Sequence, residues 1–156
     1  MELYVETDEA MQLLGQRIAP FLSAGDVVYL QGEMGAGKTT LVRGIARGMG
    51  YAGRVTSPTF TIMNIYPNEP DIYHFDFYRL DHHDLPDLGL DDYLSGEGVV
   101  LIEWPEIGME FLPEEAMVIE ISLIDDDYER GRKVQLMPRG LYFVQKIEEI
   151  EKQCSF

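Results

Sequence analysis

Eight residues, Gly32-Glu33-Met34-Gly35-Ala36-Gly37-Lys38-Thr39, satisfy the pattern G-x-x-x-x-G-K-[ST] at every fixed position. Their types suit one chemistry, the cradling of nucleotide phosphates. Glycines let the backbone curl so that successive N–H groups face phosphate oxygens, and a following helix adds about half a positive charge at its N-terminus. Lys38 is placed to reach the β- and γ-phosphates, and the Thr39 hydroxyl to face Mg²⁺. The expected nucleotide-binding stretch is Glu33, Met34, Gly35, Ala36, Gly37, Lys38, Thr39 and Thr40.

Holding phosphate is not hydrolysing it, so a metal acid and a group that orders water are also needed. Glu103 ends the apolar run Val99-Val100-Leu101-Ile102, as an acid does at the carboxyl edge of a buried strand. Asp76 lies within His74-Phe75-Asp76-Phe77-Tyr78-Arg79. A carboxylate between two phenylalanines is costly to bury alone, so Asp76 either faces solvent from mid-strand or serves the site. The hydroxyl-rich run Thr56-Ser57-Pro58-Thr59-Phe60-Thr61 falls where a nucleotide-sensing switch would lie, or is a turn into a strand.

The elements that must position these residues follow from periodicity. Val27 to Leu30 reads as a buried strand before the glycine loop, and Leu41, Val42, Ile45, Ala46 and Met49 fall at helical spacing after it. Thr7 is an N-cap for an earlier helix, with Met11, Leu14, Ile18 and Phe21 as its stripe, ending near Gly25. Thr59 to Tyr66 and Ile72 to Tyr78 read as an antiparallel hairpin around Pro67-Asn68-Glu69-Pro70. The acidic stretch 80–98 is broken by Pro86 and Gly89. Met117 to Leu123 and Lys133 to Met137 are expected strands flanking a charged turn, Asp125 to Arg132, and Leu141 to Lys152 an amphipathic helix. The fold class is α/β: a P-loop NTPase with a mainly parallel central sheet, an antiparallel hairpin and flanking helices. At 156 residues, one domain spanning 1–156 is expected.

Composition narrows the function. With 28 acidic against 12 basic side chains, the net charge of −16 repels phosphodiester backbones, so direct DNA or RNA binding is not expected. The same acidity serves solubility or docks a basic partner. No apolar run has membrane-spanning length and no signal-peptide pattern opens the chain, so a cytoplasmic protein is expected. The one cysteine, Cys154, lies in a polar tail and is expected to be inert. His82 and His83 are adjacent and cannot share a face at metal spacing.

The glycine loop with Thr56 to Phe60, then His74-x-Asp76-x-Tyr78-Arg79, then Leu101-Ile102-Glu103-Trp104-Pro105-Glu106, resembles the bacterial TsaE (YjeE) family of tRNA threonylcarbamoyladenosine biosynthesis. The likeness runs from the helix after Thr7 through Glu106. It implies a small ATPase, using ATP/ADP and Mg²⁺, that assists a TsaB–TsaD pair, with tRNA bound by the partners. It also implies that Lys38 and Thr39 bind phosphate and Mg²⁺, that Thr56 to Thr61 form a switch, and that Glu103 completes the metal site. Asp76 matches the family's essential acid, and Trp104 the aromatic beside the metal ligand.

Other classes fit less well. A guanine-specific GTPase needs Asn-Lys-x-Asp and Asp-x-x-Gly, and neither spacing occurs, so adenine is expected. Leu94-Ser95-Gly96-Glu97-Gly98 has the composition of a transporter ATPase signature but runs straight into a strand, as a turn would. A P-loop small-molecule kinase shares the fold and the metal site, yet its Arg-rich lid has no counterpart beyond Arg130, Arg132 and Lys133. A nucleotide-dependent scaffold without turnover is the remaining alternative. The expected mechanism is phosphoryl transfer to water: Lys38 and loop amides stabilise charge, Thr39 and Glu103 hold Mg²⁺, and Asp76 orders the nucleophile or its surroundings. No arginine finger is evident in the expected place; Arg43, one turn into the helix after the glycine loop, and Arg79, at a strand end, are the two that could approach the site. Without a finger the isolated chain is expected to be slow.

Overall fold

A computed structural model describes residues 1–154 of the chain. Its elements in order are β1 (Glu2–Val5), α1 (Asp8–Ile18), β2 (Val27–Gln31), α2 (Lys38–Gly48), β3 (Met63–Tyr66), β4 (Asp71–Asp76), α3 (Leu90–Tyr93), β5 (Gly98–Glu103), β6 (Ala116–Ile124), β7 (Asp127–Arg139) and α4 (Leu141–Gln153). They build one seven-stranded sheet in the order β1-β7-β6-β2-β5-β4-β3. The middle strands β6, β2, β5 and β4 run parallel; β3 joins β4, and β7 and β1 extend the other edge, antiparallel.

Alternation in the central strands sorts two cores. Val28 and Leu30 of β2, Val99 and Leu101 of β5 and Ile119 of β6 pack on one face against α1, α2 and α4. Val27, Tyr29, Val100, Ile102 and Val118 pack on the other, under the short helical segments of residues 82–111. Strands buried on both faces read as continuous apolar runs, which is why β2 and β5 were visible from sequence. Among the described residues no helix is long and apolar enough to cross a membrane.

The sequence reading needs five adjustments. The first helix stops at Ile18, and Ala19–Phe21 tighten into a 3₁₀ turn with Pro20 at its start, rather than running to Gly25. The strand expected from Thr59 begins only at Met63, because Ile62 takes a left-handed φ of 69° and breaks the extended run. β4 covers Asp71–Asp76 instead of Ile72 to Tyr78: the Asp76 carboxylate accepts the Tyr78 amide at 2.8 Å, turning the chain at the strand end. Asp76 is therefore terminal, not mid-strand. The charged turn shrinks to Asp125-Asp126, both with positive φ (53° and 54°), a tight hairpin that leaves Asp127–Arg132 inside β7. Finally, Glu2–Val5 form β1 on β7, an edge strand not anticipated.

α1 and α2 meet at unusually short range because glycines face each other. A Cβ on Gly44 would lie 2.1 Å from the Gln12 carbonyl oxygen, and one on Gly15 2.6 Å from the Ile45 nitrogen. The contact fixes the N-terminus of α1, with Thr7 capping Ala10 at 3.1 Å, beside the glycine loop. Gly44→Ala is expected to destabilise the protein by about 3 kcal/mol, since backbone overlap outweighs a helix-propensity gain of about 1 kcal/mol. Urea unfolding measures this; an unchanged or raised midpoint would show that α1 yields.

Candidate functional site

β2, β5 and β4 present their carboxyl ends side by side, where open α/β sheets bind ligands. The Gly32–Thr39 loop leaves β2 there and turns directly into α2 at Lys38. Gly35 and Gly37 take φ of 78° and 114°, values that disfavour any side chain. At the first turn of α2 the amides of Lys38, Thr39 and Thr40 have no carbonyl one turn back within the helix, so they face outward as donors.

By strand alternation Glu103 follows Val99 and Leu101 onto the α2 face, and β4 places His74 and Asp76 on that face too, with Asp76 paired to Glu103. Both carboxylates are 3 % exposed. The Thr39 hydroxyl donates to Glu103 Oε2 at 3.2 Å. Thr59 Oγ1 donates to Asp76 Oδ2 at 2.8 Å, and Ser57 Oγ lies 2.8 Å from the same threonine oxygen. Strand, helix and hydroxyl loop thus converge, and Asp76 serves this cluster rather than solvent.

Lys38 is 5 % exposed and donates to the Gly32 carbonyl, leaving two ammonium protons for other acceptors. Its Nζ lies 4.0 Å from the Trp104 ring centre, and the Trp104 ring is tilted against Tyr78 with centroids 5.0 Å apart. A left-handed φ of 57° at Trp104, before Pro105, swings the indole over the loop. Burial draws the Lys38 ammonium below the usual lysine value, while Glu103, Asp76 and Glu106 oppose that pull.

A cleft of about 540 Å³ runs along this surface. Of the expected residues, Met34, Gly35, Ala36, Gly37, Lys38, Thr39, Thr40, Ser57, Thr59, Asp76, Glu103 and Trp104 line it. Glu33, Thr56, Pro58, Phe60, Thr61, Tyr78 and Arg79 do not. Phe60 is 83 % exposed, with the Arg79 guanidinium 4.8 Å above its ring. Arg43 donates to the Val55 carbonyl at 3.4 Å.

Sequence reasoning missed two groups. β7 crosses beside the loop, where Tyr128 donates to the Met34 carbonyl at 3.0 Å and Arg132 Nε to the Ala36 carbonyl at 3.0 Å. Arg130, paired with Asp125, lines the cleft with Arg132, so two of the three residues of the basic cluster form part of its wall, while Lys133 turns to Glu2. Nothing local in the sequence signals that placement. His74 is the second omission: wholly buried, its Nε2 sits 2.6 Å from Glu103 Oε2 and its Nδ1 2.9 Å from the Tyr66 hydroxyl. Its position two residues before Asp76 was the available signal. Burial pushes the Tyr66 phenol up, so it keeps its proton.

The donors fit a hard cation. Thr39, Glu103 and Asp76 offer oxygen only, and among the described residues no group of three or more His, Cys, Asp and Glu forms a protein cage. Mg²⁺ characteristically uses one or two carboxylates together with substrate phosphates.

Comparison with known proteins places the chain. The family model for threonylcarbamoyl adenosine biosynthesis protein TsaE matches residues 5–134. The tRNA threonylcarbamoyladenosine biosynthesis protein TsaE of Bacillus subtilis is 42 % identical over 145 residues, covering 92 % of this chain and 89 % of that one. The protein of the same name from Streptomyces coelicolor is 46 % identical over 136 residues, covering 83 % and 91 %. The crystal structure of Bacillus subtilis YdiB superposes with a TM-score of 0.81 at 33 % identity, covering 97 % of this chain and 94 % of that one.

Proposed function

Since the chain belongs to the TsaE family, we propose that it is a Mg²⁺-dependent P-loop ATPase of tRNA threonylcarbamoyladenosine biosynthesis, slow alone and acting with a TsaB–TsaD pair in the cytoplasm. The observation that carries this reading is the Thr39 hydroxyl 3.2 Å from the buried Glu103 carboxylate, at the mouth of the glycine loop. Oxygen donors of this kind, next to outward-facing helix amides, suit a metal–nucleotide complex and little else.

Thr39 and Glu103 would hold the Mg²⁺, which would supply charge neutralisation to the nucleotide phosphates. Lys38 directs its remaining ammonium protons to the same phosphates, and Trp104 limits where that ammonium can go. The loop and α2 amides hold the phosphate chain without reorganising. Asp76 accepts the Thr59 hydroxyl, so it fixes the Ser57–Thr59 side of the site and with it the place from which a nucleophilic water attacks. Arg43 and Arg132 donate to backbone carbonyls, Arg79 lies over the Phe60 ring and Arg130 pairs with Asp125, so each has a partner in the chain, which fits slow turnover by the chain alone.

The test is nucleotide selectivity and turnover together. ATP and ADP are expected to displace a fluorescent adenine nucleotide well ahead of GTP and GDP, and ATP hydrolysis to require Mg²⁺. Equal competition by guanine nucleotides would overturn the adenine assignment, and Mg²⁺-independent turnover would overturn the metal site.

A further inference from the structure

A chain of buried side chains leads from Glu103 away from the cleft to the backbone of the hydroxyl loop. His74 Nε2 meets Glu103 Oε2 at 2.6 Å, His74 Nδ1 meets the Tyr66 hydroxyl at 2.9 Å, and that hydroxyl lies 3.1 Å from the Thr56 carbonyl. Building on the reading of Glu103 as the metal acid, we propose that Tyr66 and His74 are positioning residues that couple the Thr56–Thr61 loop to the orientation of the Glu103 carboxylate.

Proton counting gives the coupling its form. A phenol has one proton, so Tyr66 donates either to the Thr56 carbonyl or to His74 Nδ1. Donation to Nδ1 leaves the imidazole proton on Nε2, where it is given to Glu103 Oε2. The carboxylate is then pinned through that oxygen with Oε1 left for the cleft. Donation to Thr56 releases Nδ1 from that constraint. The loop carbonyl remains satisfied in both cases, because Asn64 Nδ2 also donates to it at 3.1 Å. Asn64 in turn accepts from Thr61 Oγ1 at 3.1 Å, so both ends of the loop meet the same side chain. His74 is 0 % exposed, so the structure offers no water to replace either partner by simple solvent access. Loop position and carboxylate orientation therefore share one proton, and the residues that transmit it, Tyr66 and His74, do not line the cleft.

Partners of this kind typically change metal affinity about 10- to 100-fold when removed. The protein carries one tryptophan, Trp104, directly after Glu103 and facing Lys38, so its fluorescence reports the site. The full chain is titrated with ADP in EDTA, then with MgCl₂ at saturating ADP, while hydrogen exchange follows residues 56–61. Tyr66→Phe and His74→Ala are expected to raise the Mg²⁺ half-saturation about tenfold, with metal-free ADP affinity within about twofold of wild type. His74→Gln, whose amide can donate from near the Nε2 position but cannot accept at Nδ1, is expected to retain most of the Mg²⁺ affinity. Wild type is expected to show a Mg²⁺-induced change in loop protection, and in His74→Gln that change is expected to disappear. Unchanged Mg²⁺ half-saturation in both Tyr66→Phe and His74→Ala, or a loop response that survives in His74→Gln, overturns the coupling. A wild-type protein that binds ADP with no Mg²⁺ response overturns the reading of Glu103 itself, which separates the two failures. Tyr66→Phe keeps the ring and its packing against Tyr51, 5.1 Å away, so loss of folding does not mask the result.

Discussion

Lys38→Ala is expected to abolish ATP hydrolysis and to weaken ATP binding about 10- to 100-fold, the range for losing a hydrogen bond to a charged group. The turnover loss is larger because charge on the transferring phosphoryl group grows toward the transition state, where one well-placed donor is worth about 10² to 10³ in rate. Glu103→Ala and Asp76→Ala should behave differently. Both leave the loop amides and Lys38 in place, so nucleotide binding stays detectable while turnover is lost. They also differ from each other: removing Glu103 takes the partner of Thr39 away, so the gain in affinity on adding Mg²⁺ should vanish, whereas removing Asp76 frees Thr59 and leaves that gain intact. Calorimetric titration with ATP, with and without Mg²⁺, combined with single-turnover phosphate release, separates these outcomes. Normal turnover in the Glu103 variant would sink its assignment as metal acid, and loss of the Mg²⁺ effect only in the Asp76 variant would exchange the two roles.

The parts of this site legible in sequence were those written in local pattern. The glycine loop, the buried strands β2 and β5 and the helix α2 each announce themselves within a dozen residues, and Glu103 follows from being the last residue of an apolar run. Asp76 was harder. Its sequence neighbours are aromatic on both sides, and only the register that pairs it with Glu103 shows that its face is the site face, opposite the one where Phe75 and Phe77 pack. His74 shared that face and needed the same register to be recognised. Tyr128 and Arg132 lay beyond reach for a different reason. They meet the loop some hundred residues away because β6 and β7 form a long hairpin closed by two left-handed aspartates, and a run of charge beside a hairpin turn looks like part of the turn. Sequence separation, not residue chemistry, hid them.

The acidic surface and the engaged arginines lead to an expectation about partners. If hydrolysis is completed by a group the chain does not supply, the isolated protein should turn over ATP well below about one per second, because an arginine finger alone contributes about 10³ to 10⁵. Adding a TsaB–TsaD pair should change that rate, and the change should fade as salt is raised: a net charge of −16 calls for basic complementarity, and exposed charge pairs are screened beyond about 8 Å at physiological ionic strength. The exposed Phe60, held against Arg79 beside the Ser57–Thr59 wall of the cleft, is positioned to report such a contact, so Phe60→Ala should weaken the partner's effect without altering ADP binding by the chain alone. By the same electrostatics the isolated chain should not retain tRNA in a gel shift at physiological salt, since there is no counterion-release gain to drive it. Tight tRNA binding by the chain alone would make it a substrate-recognition subunit. Fast phosphate transfer to a small metabolite without partners would make it a kinase, with Arg130 and Arg132 as the acceptor side of the cleft. An ATPase rate indifferent to partners at every salt concentration would remove the accessory role and leave only the nucleotide site.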